Sequence, residues 1–238
     1  AMEEFRSLED LLDLQVVDLD IDRLLHRRQS MEELTLYRQA HEQVAGLDAR
    51  LAEAEGRLRE LALAGDKAQG ELDLSEDKLH REERRLYAGG LSAREAEAMR
   101  LEVEMLRRHI SEREDRILEL IDSREQVEAE VGALREQRAA AQAEKDRLDG
   151  IIRAEWQVID ADIARAEARK RGIVPLITPD LMALYEELRP HKEGVAVGRL
   201  AEGVCGGCHL RLSAAERVEV LREFPPRCMH CRRILVPQ

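Results

Sequence analysis

Cys205-Gly206-Gly207-Cys208 and Cys228-Met229-His230-Cys231 are two CxxC pairs separated by nineteen residues. A CxxC segment can turn tightly enough for its two sulfurs to converge on one ion. The intervening segment is long enough to return as a hairpin and set the second pair opposite the first. Four thiolates in a tetrahedral array suit zinc, with Zn–S bonds near ~2.3 Å, and a rubredoxin-like iron centre is the alternative. Cys205, Cys208, Cys228 and Cys231 are therefore expected to hold one structural zinc ion. With all four vertices filled, no position is left for water or substrate. His209 and His230 sit beside these ligands and can replace one, but with four cysteines at hand they are expected outside the coordination sphere. A redox role for either pair needs a strand–turn–helix context that the flanking sequence lacks.

All four cysteines fall in the last 34 residues. A segment that short cannot bury a sufficient core, so metal binding is expected to supply its folding energy, in the pattern of a four-cysteine zinc ribbon. The pattern also suits a cytoplasmic protein with reduced thiols better than a disulfide framework. No run approaches the roughly 18–20 apolar residues of a membrane span. The opening Met2-Glu3-Glu4-Phe5-Arg6 has neither the basic nor the apolar region of a signal peptide, and Ala1 reads as a remnant of an expression tag.

The elements that must position this cluster are helical. Of 238 residues, 37% are charged and 3% aromatic, with 50 acidic against 38 basic side chains and a net charge of −12. So few large rings cannot build one thick core, while dense charge with abundant Leu, Ala, Glu and Arg suits long exposed helices. Counting in sevens from Phe5 through Leu12, Leu19, His26, Glu33, Ala40, Leu47, Ala54, Leu61 and Ala68 to Ser75 traces one seam. The series four residues along runs from Val16 through Arg23, Ser30, Tyr37, Val44, Leu51, Leu58, Gly65, Leu72 and Leu79 to Leu86. Such a 4-3 spacing is a coiled-coil seam. Its polar stretch, Arg23 to Glu33, is expected to be a frayed or locally unpacked turn rather than a binding site. Periodicity stops at Leu86-Tyr87-Ala88-Gly89-Gly90-Leu91-Ser92, a chain reversal with Ser92 as N-cap and Glu95 three residues on.

A second seam follows, on Val103, Ile110, Ile117, Arg124, Val131, Arg138, Lys145, Ile152, Ile159 and Ala166, partnered by Met99, Leu106, Arg113, Leu120, Val127, Leu134, Ala141 and Leu148. Two matched seams joined by a short turn predict an antiparallel hairpin over residues 1–172, turning near 87–93, with a neck helix and zinc ribbon over 173–238. If facing residue numbers sum to about 180, Lys145 meets Glu33 and Tyr37, and Trp156 meets Leu24 and Leu25. Arg124 and Arg138 are expected to snorkel outward. Thr178-Pro179-Asp180 predicts a helix start with a hydroxyl cap, ending before Pro190. Tyr185 on that helix is expected to pack against the hairpin or ribbon rather than stack on a base. Gly194 to Leu200 alternates as a short strand does.

Acidic balance argues against general wrapping of nucleic acid. Residues 201–238 are the less acidic end, with six arginines against four glutamates, although four thiolates around zinc bring that head close to neutral. Arg211, Arg227, Arg232 and Arg233 are the candidate contacts to a partner or to nucleic acid; phosphate binding and a solvated rim are both open readings. No aromatic residues interleave with them for base stacking.

With these features in place the chain resembles the bacterial family of coiled-coil proteins ending in a four-cysteine zinc ribbon. The most specific part runs from Leu184-Tyr185-Glu186-Glu187-Leu188-Arg189 through Gly194-Val195-Ala196-Val197 to Cys205-Gly206-Gly207-Cys208-His209, and on to Cys228, Cys231 and Arg233-Ile234-Leu235. Leu86-Tyr87-Ala88-Gly89 and Ser92 look like the family's tip, and Glu102 to Glu125 like its outgoing helix. The resemblance implies a non-enzymatic protein that binds other proteins: transcription components including an alternative sigma factor, and flagellar or type III secretion proteins, with RNA binding also attributed to the family. One departure is Arg232, where the family's second knuckle has glycine. In a left-handed backbone a non-glycine residue there costs ~1–2 kcal/mol.

The function expected is thus an adaptor or scaffold using its hairpin and zinc head, with a nucleic-acid-binding protein as the alternative. No phosphate loop, nucleophile motif or open metal site suggests an enzyme, and no small-molecule substrate or membrane partner is expected.

Overall fold

The structure is a computed structural model describing residues 2–238; Ala1, read above as a tag remnant, lies outside them. The chain is mainly helical: α1 (Met2–Gln29), α2 (Glu32–Tyr87), α3 (Ala93–Ile173), a 3-10 turn (Val174–Leu176), α4 (Pro179–His191) and α5 (Ala214–Val220), with strands β1 (Val197–Ala201), β2 (Val204–Cys205) and β3 (Ile234–Pro237). It is the expected long helical hairpin followed by a small cysteine-bearing sheet. The polar stretch of the first seam contains a real break, at Ser30-Met31 between α1 and α2.

The chain forms two compact units. One comprises residues 1–35 with 148–238, the other residues 36–147. In the first, Leu8, Leu11 and Leu14 of α1 are fully buried against Ile177, Leu181, Tyr185 and Leu188 around α4, and against Val197, Ile234 and Val236 of the sheet. These leucines recur at intervals of three, on a face different from Phe5 and Val16, which are 51% and 57% exposed. The heptad count from Phe5 therefore misplaced the buried stripe of α1. A helix packed on two sides buries more than a two-residue seam, and the extra face belongs to α4 and the sheet.

In the second unit the seam is as expected: Val44, Leu47 and Ala54 bury against Val127, Val131, Leu134 and Ala141. Ion pairs flank it, Arg57–Glu130 at 2.8 Å, Arg135–Glu55 at 2.7 Å and Arg138–Asp48 at 2.9 Å. Several of these lie a few residues beyond the register assumed above. Arg138 thus reaches across to Asp48 instead of snorkelling free, and Arg124 pairs with Glu128 one turn on. Lys145 stands over the Tyr37 ring at 5.9 Å. In the first unit Trp156 meets Arg28, donating to its carbonyl at 3.2 Å with the guanidinium 4.6 Å from the ring. The start of α3 closes as a capping box: Ser92 N–H donates to Glu95 at 2.9 Å, and Glu95 N–H to the Ser92 hydroxyl at 3.3 Å.

The neck departs from expectation twice. Thr178 takes the N-cap position without a side-chain cap bond; its N–H instead donates to the Ser7 hydroxyl at 2.9 Å. Helix α4 runs through Pro190 to His191, because proline's fixed φ is helical and its missing N–H costs a single bond in the last turn. Tyr185 is 1% exposed and donates to Asp18 at 2.8 Å, so it packs on α1 as expected.

Candidate metal centre

The sheet has the order β2-β1-β3. β1 and β2 form an antiparallel hairpin pairing Leu200 with Cys205 and Ala201 with Val204. The two-residue turn between them, Glu202-Gly203, has φ of 50° and 79°; positive φ at both positions matches the right-handed twist of the strands. β3 joins β1 in parallel, Val197 beside Ile234. Cys205 thus sits at the end of a strand, and Cys228 and Cys231 are delivered by the segment that leads into β3.

Two knuckles result, each closed by a backbone hydrogen bond: His209 N–H to Cys205 C=O, and Arg232 N–H to Cys228 C=O, both 2.8 Å. The residue after each second cysteine is left-handed, with φ of 59° at His209 and 63° at Arg232. The backbone expected at Arg232 is therefore present, and the first knuckle carries the same feature unanticipated. The first knuckle also lies flat on β1. A Cβ at Gly198 would come within 2.7 Å of Gly207 N, so no side chain fits there.

The four sulfurs lie within 4.8 Å of one another, with Cys205–Cys231 at 3.9 Å and Cys208–Cys228 at 3.8 Å. A tetrahedron with Zn–S bonds of ~2.3 Å has an edge of about 3.8 Å. The donor set and spacing therefore fit a tetrahedral thiophilic ion, and the four cysteines together can hold a metal. Cys205 and Cys228 are fully buried among Leu200, Leu212, Val220 and Leu235. Burial pushes the Cys205 thiol up to about 12 and raises that of Cys228. At Cys231 burial is outweighed by hydrogen bonds, first from Arg233, and its thiol falls to about 7. Apolar surroundings that oppose ionisation call for a cation to offset the thiolates. Among the described residues neither histidine joins the cluster. His209 and His230 are exposed.

The candidate arginines are engaged in different ways. Arg233 is structural: its Nε donates to Val195 C=O at 2.6 Å, and its stem packs on Gly207. Arg227 Nε donates to Arg232 C=O, and an Arg211 guanidinium nitrogen to Glu202 C=O, both at 3.1 Å. Arg232 is exposed. Residues that the sequence reading missed hold the sheet to α1. Gln15, 7% exposed, donates to Val197 C=O at 2.9 Å and accepts from its N–H at 2.7 Å. Arg199 grips Glu9 with two bonds of 2.9 and 2.6 Å. A second capping box, Ser213 with Glu216, starts α5; its S-x-x-E spacing was legible in the sequence.

Hairpin and cysteine-bearing sheet together define a class of protein: a coiled-coil hairpin with a four-thiol head. Residues 14–193 match the CT398-like coiled coil hairpin domain, and the chain belongs to that family. It is similar to the uncharacterized protein Rv2229c of Mycobacterium tuberculosis, at 25% identity over 95% of this chain and 93% of that one. Among solved structures it resembles a protein from Mycobacterium smegmatis, with TM-score 0.81, 23% identity and 98% of each chain covered. It also resembles CT398 from Chlamydia trachomatis, with TM-score 0.78, 19% identity and 100% of both chains. The HP0958 protein from Helicobacter pylori matches at TM-score 0.52 and 19% identity, over 98% of this chain and 97% of that one. These likenesses establish the fold.

Proposed function

We propose that the protein is a non-enzymatic adaptor of the cytoplasm, whose head is held by one structural zinc ion at Cys205, Cys208, Cys228 and Cys231 and whose hairpin and head bind other proteins. The observation that carries this reading is the closed thiol cluster. Four sulfurs within 4.8 Å of one another can fill all four positions around a tetrahedral ion, which suits a metal that shapes a surface rather than one that activates water. Large apolar side chains stand out on both parts, among them Leu63 and Leu74 at 71% exposure, and Val218 and Phe224 at 54% and 45%. No helix among the described residues is long and apolar enough to cross a membrane.

The test is capture of partners by the full-length protein from its host, followed by reconstitution with each purified candidate. A protein partner should bind directly, lose affinity with rising salt less steeply than a phosphate ligand would, and be lost or weakened when Cys205→Ser or chelation opens the head. The reading fails if wild-type protein captures no partner that rebinds after purification. It also fails if the main ligand is RNA or DNA, bound with a steep salt dependence and lost in Arg211→Glu and Arg232→Glu.

A further inference from the structure

Helices α1 and α3 of the first unit leave an open groove of about 940 Å³ between Asp20–Ser30 on one side and Asp162–Arg169 on the other. Its apolar lining comes from Leu24, Ala166 and Ala168. The groove has a cause in the sequence. Over this stretch α1 carries the exposed polar residues Arg23, His26 and Ser30 and then breaks at Ser30-Met31. Opposite them α3 offers Ala168, exposed, and Ala166, 2% exposed. Polar and small side chains thus leave the space between the two helices unfilled over about three helical turns, ~15 Å.

The rim has a sign. Arg23, Arg27, Arg165 and Arg169 line it against Asp20 and Asp162. Each arginine leans on a carboxylate of its own chain: Arg23 and Arg169 share Asp20 at 3.2 and 3.8 Å, Arg165 pairs with Asp162, and Arg27 with Glu155. The four arginine side chains are 59–76% exposed. Exposed pairs of this kind contribute little, so they can be exchanged for a partner's carboxylates at small cost. One aspartate serving two guanidiniums leaves donors to spare.

We propose that this groove receives an acidic amphipathic helix of a partner protein, about three turns long, with apolar side chains at i, i+3 or i+4 and i+7 on Leu24, Ala168 and the aliphatic stems of the arginines, and flanking carboxylates on the four guanidiniums. The proposal rests on the adaptor reading and specifies the chemistry of its partner. A nucleic acid is disfavoured because it has no apolar side chains to set against Leu24 and Ala168.

Trp156 provides the readout. It is the chain's one tryptophan and neighbours the Arg27–Glu155 pair at one end of the groove. Full-length protein is titrated with a synthetic peptide of about fourteen residues, ~21 Å as a helix, carrying leucines at helical spacing flanked by glutamates. A twin peptide has lysine in place of each glutamate. The glutamate peptide should shift Trp156 emission saturably. Affinity should fall roughly tenfold or more for the lysine twin, for Arg23→Glu with Arg165→Glu, and for Ala168→Trp, which fills the floor from an exposed helical position. Circular dichroism identifies any variant that fails to fold, and the unchanged protein with the two peptides then decides alone. The proposal is overturned by absence of saturation up to about 1 mM, by equal affinity for both peptides, by indifference to the folded variants, or by displacement of the glutamate peptide by single-stranded RNA. Capture from the host separates the two readings: a partner retained unchanged by Arg23→Glu with Arg165→Glu removes the groove and leaves the adaptor, whereas a wild-type protein that captures nothing removes the adaptor whatever the peptides do.

Discussion

The side-chain amide of Gln15 satisfies both backbone groups of Val197, accepting from its N–H at 2.7 Å and donating to its C=O at 2.9 Å. β2 is only two residues long and pairs with Leu200 and Ala201, so the start of β1 has a neighbouring strand on one side only. Gln15 stands in for a strand on the other side, and so ties α1 to the sheet that carries the cysteines. Gln15→Leu leaves both groups of Val197 buried and unpaired. It should cost about 1–3 kcal/mol, read by denaturant unfolding, and should raise hydrogen exchange at Val197 ahead of the seam of residues 36–147.

Asp18 is 2% exposed and is held by the Tyr185 hydroxyl at 2.8 Å and by Lys170 at 2.7 Å. Burial, then the hydrogen bond to Asp18, raises the Tyr185 pKa far above its ordinary value. The folded protein therefore keeps a proton that the unfolded chain releases above about pH 10. Bound protons are then more numerous in the native state, so stability falls as pH rises past that point. Comparing unfolding of wild type and Tyr185→Phe from pH 8 to pH 11 should show a steeper alkaline loss in wild type. At neutral pH the variant should be less stable by about 1–3 kcal/mol, since it leaves one buried acceptor of Asp18 short.

Zinc should bind one ion per chain, release about three to four protons at neutral pH, and lose affinity steeply on acidification, because each thiolate competes with a proton. Isothermal titration in buffers of different ionisation enthalpy measures the proton count. Cys205→Ser and Cys228→Ser should abolish tight binding. Chelation should leave most of the helical circular dichroism in place while residues 197–238 lose exchange protection. A chelated protein that keeps full protection there would show that the sheet does not depend on metal.

Along the hairpin, burial outweighs charge. Leu134 is 2% exposed within the cluster of Val44, Leu47 and Val131, and Leu134→Ala should cost about 2–5 kcal/mol. Its neighbour Arg135 pairs with Glu55 at 2.7 Å, but its side chain is 64% exposed. Arg135→Ala should cost no more than about 1 kcal/mol, with the difference shrinking further in high salt. Thermal melts of the two variants at low and high salt test the ranking.

Periodicity determined the hairpin and the pairing of the seams between residues 44 and 141, because a repeat of 4-3 apolar residues has one economical way to leave water, while paired glycines and the Ser92–Glu95 spacing determined the turn. Cysteine spacing likewise determined which four side chains converge, since two CxxC knuckles on a short segment have little else to close on. Neither pattern could show that Leu8, Leu11 and Leu14 turn to α4 and the sheet, that Gln15 completes β1, that Arg138 reaches Asp48, or that Arg233 is spent on the carbonyls of Val195 and Lys192. Those contacts join residues up to 182 positions apart. They depend on which elements face each other and in what register, and that is decided only when the whole chain packs.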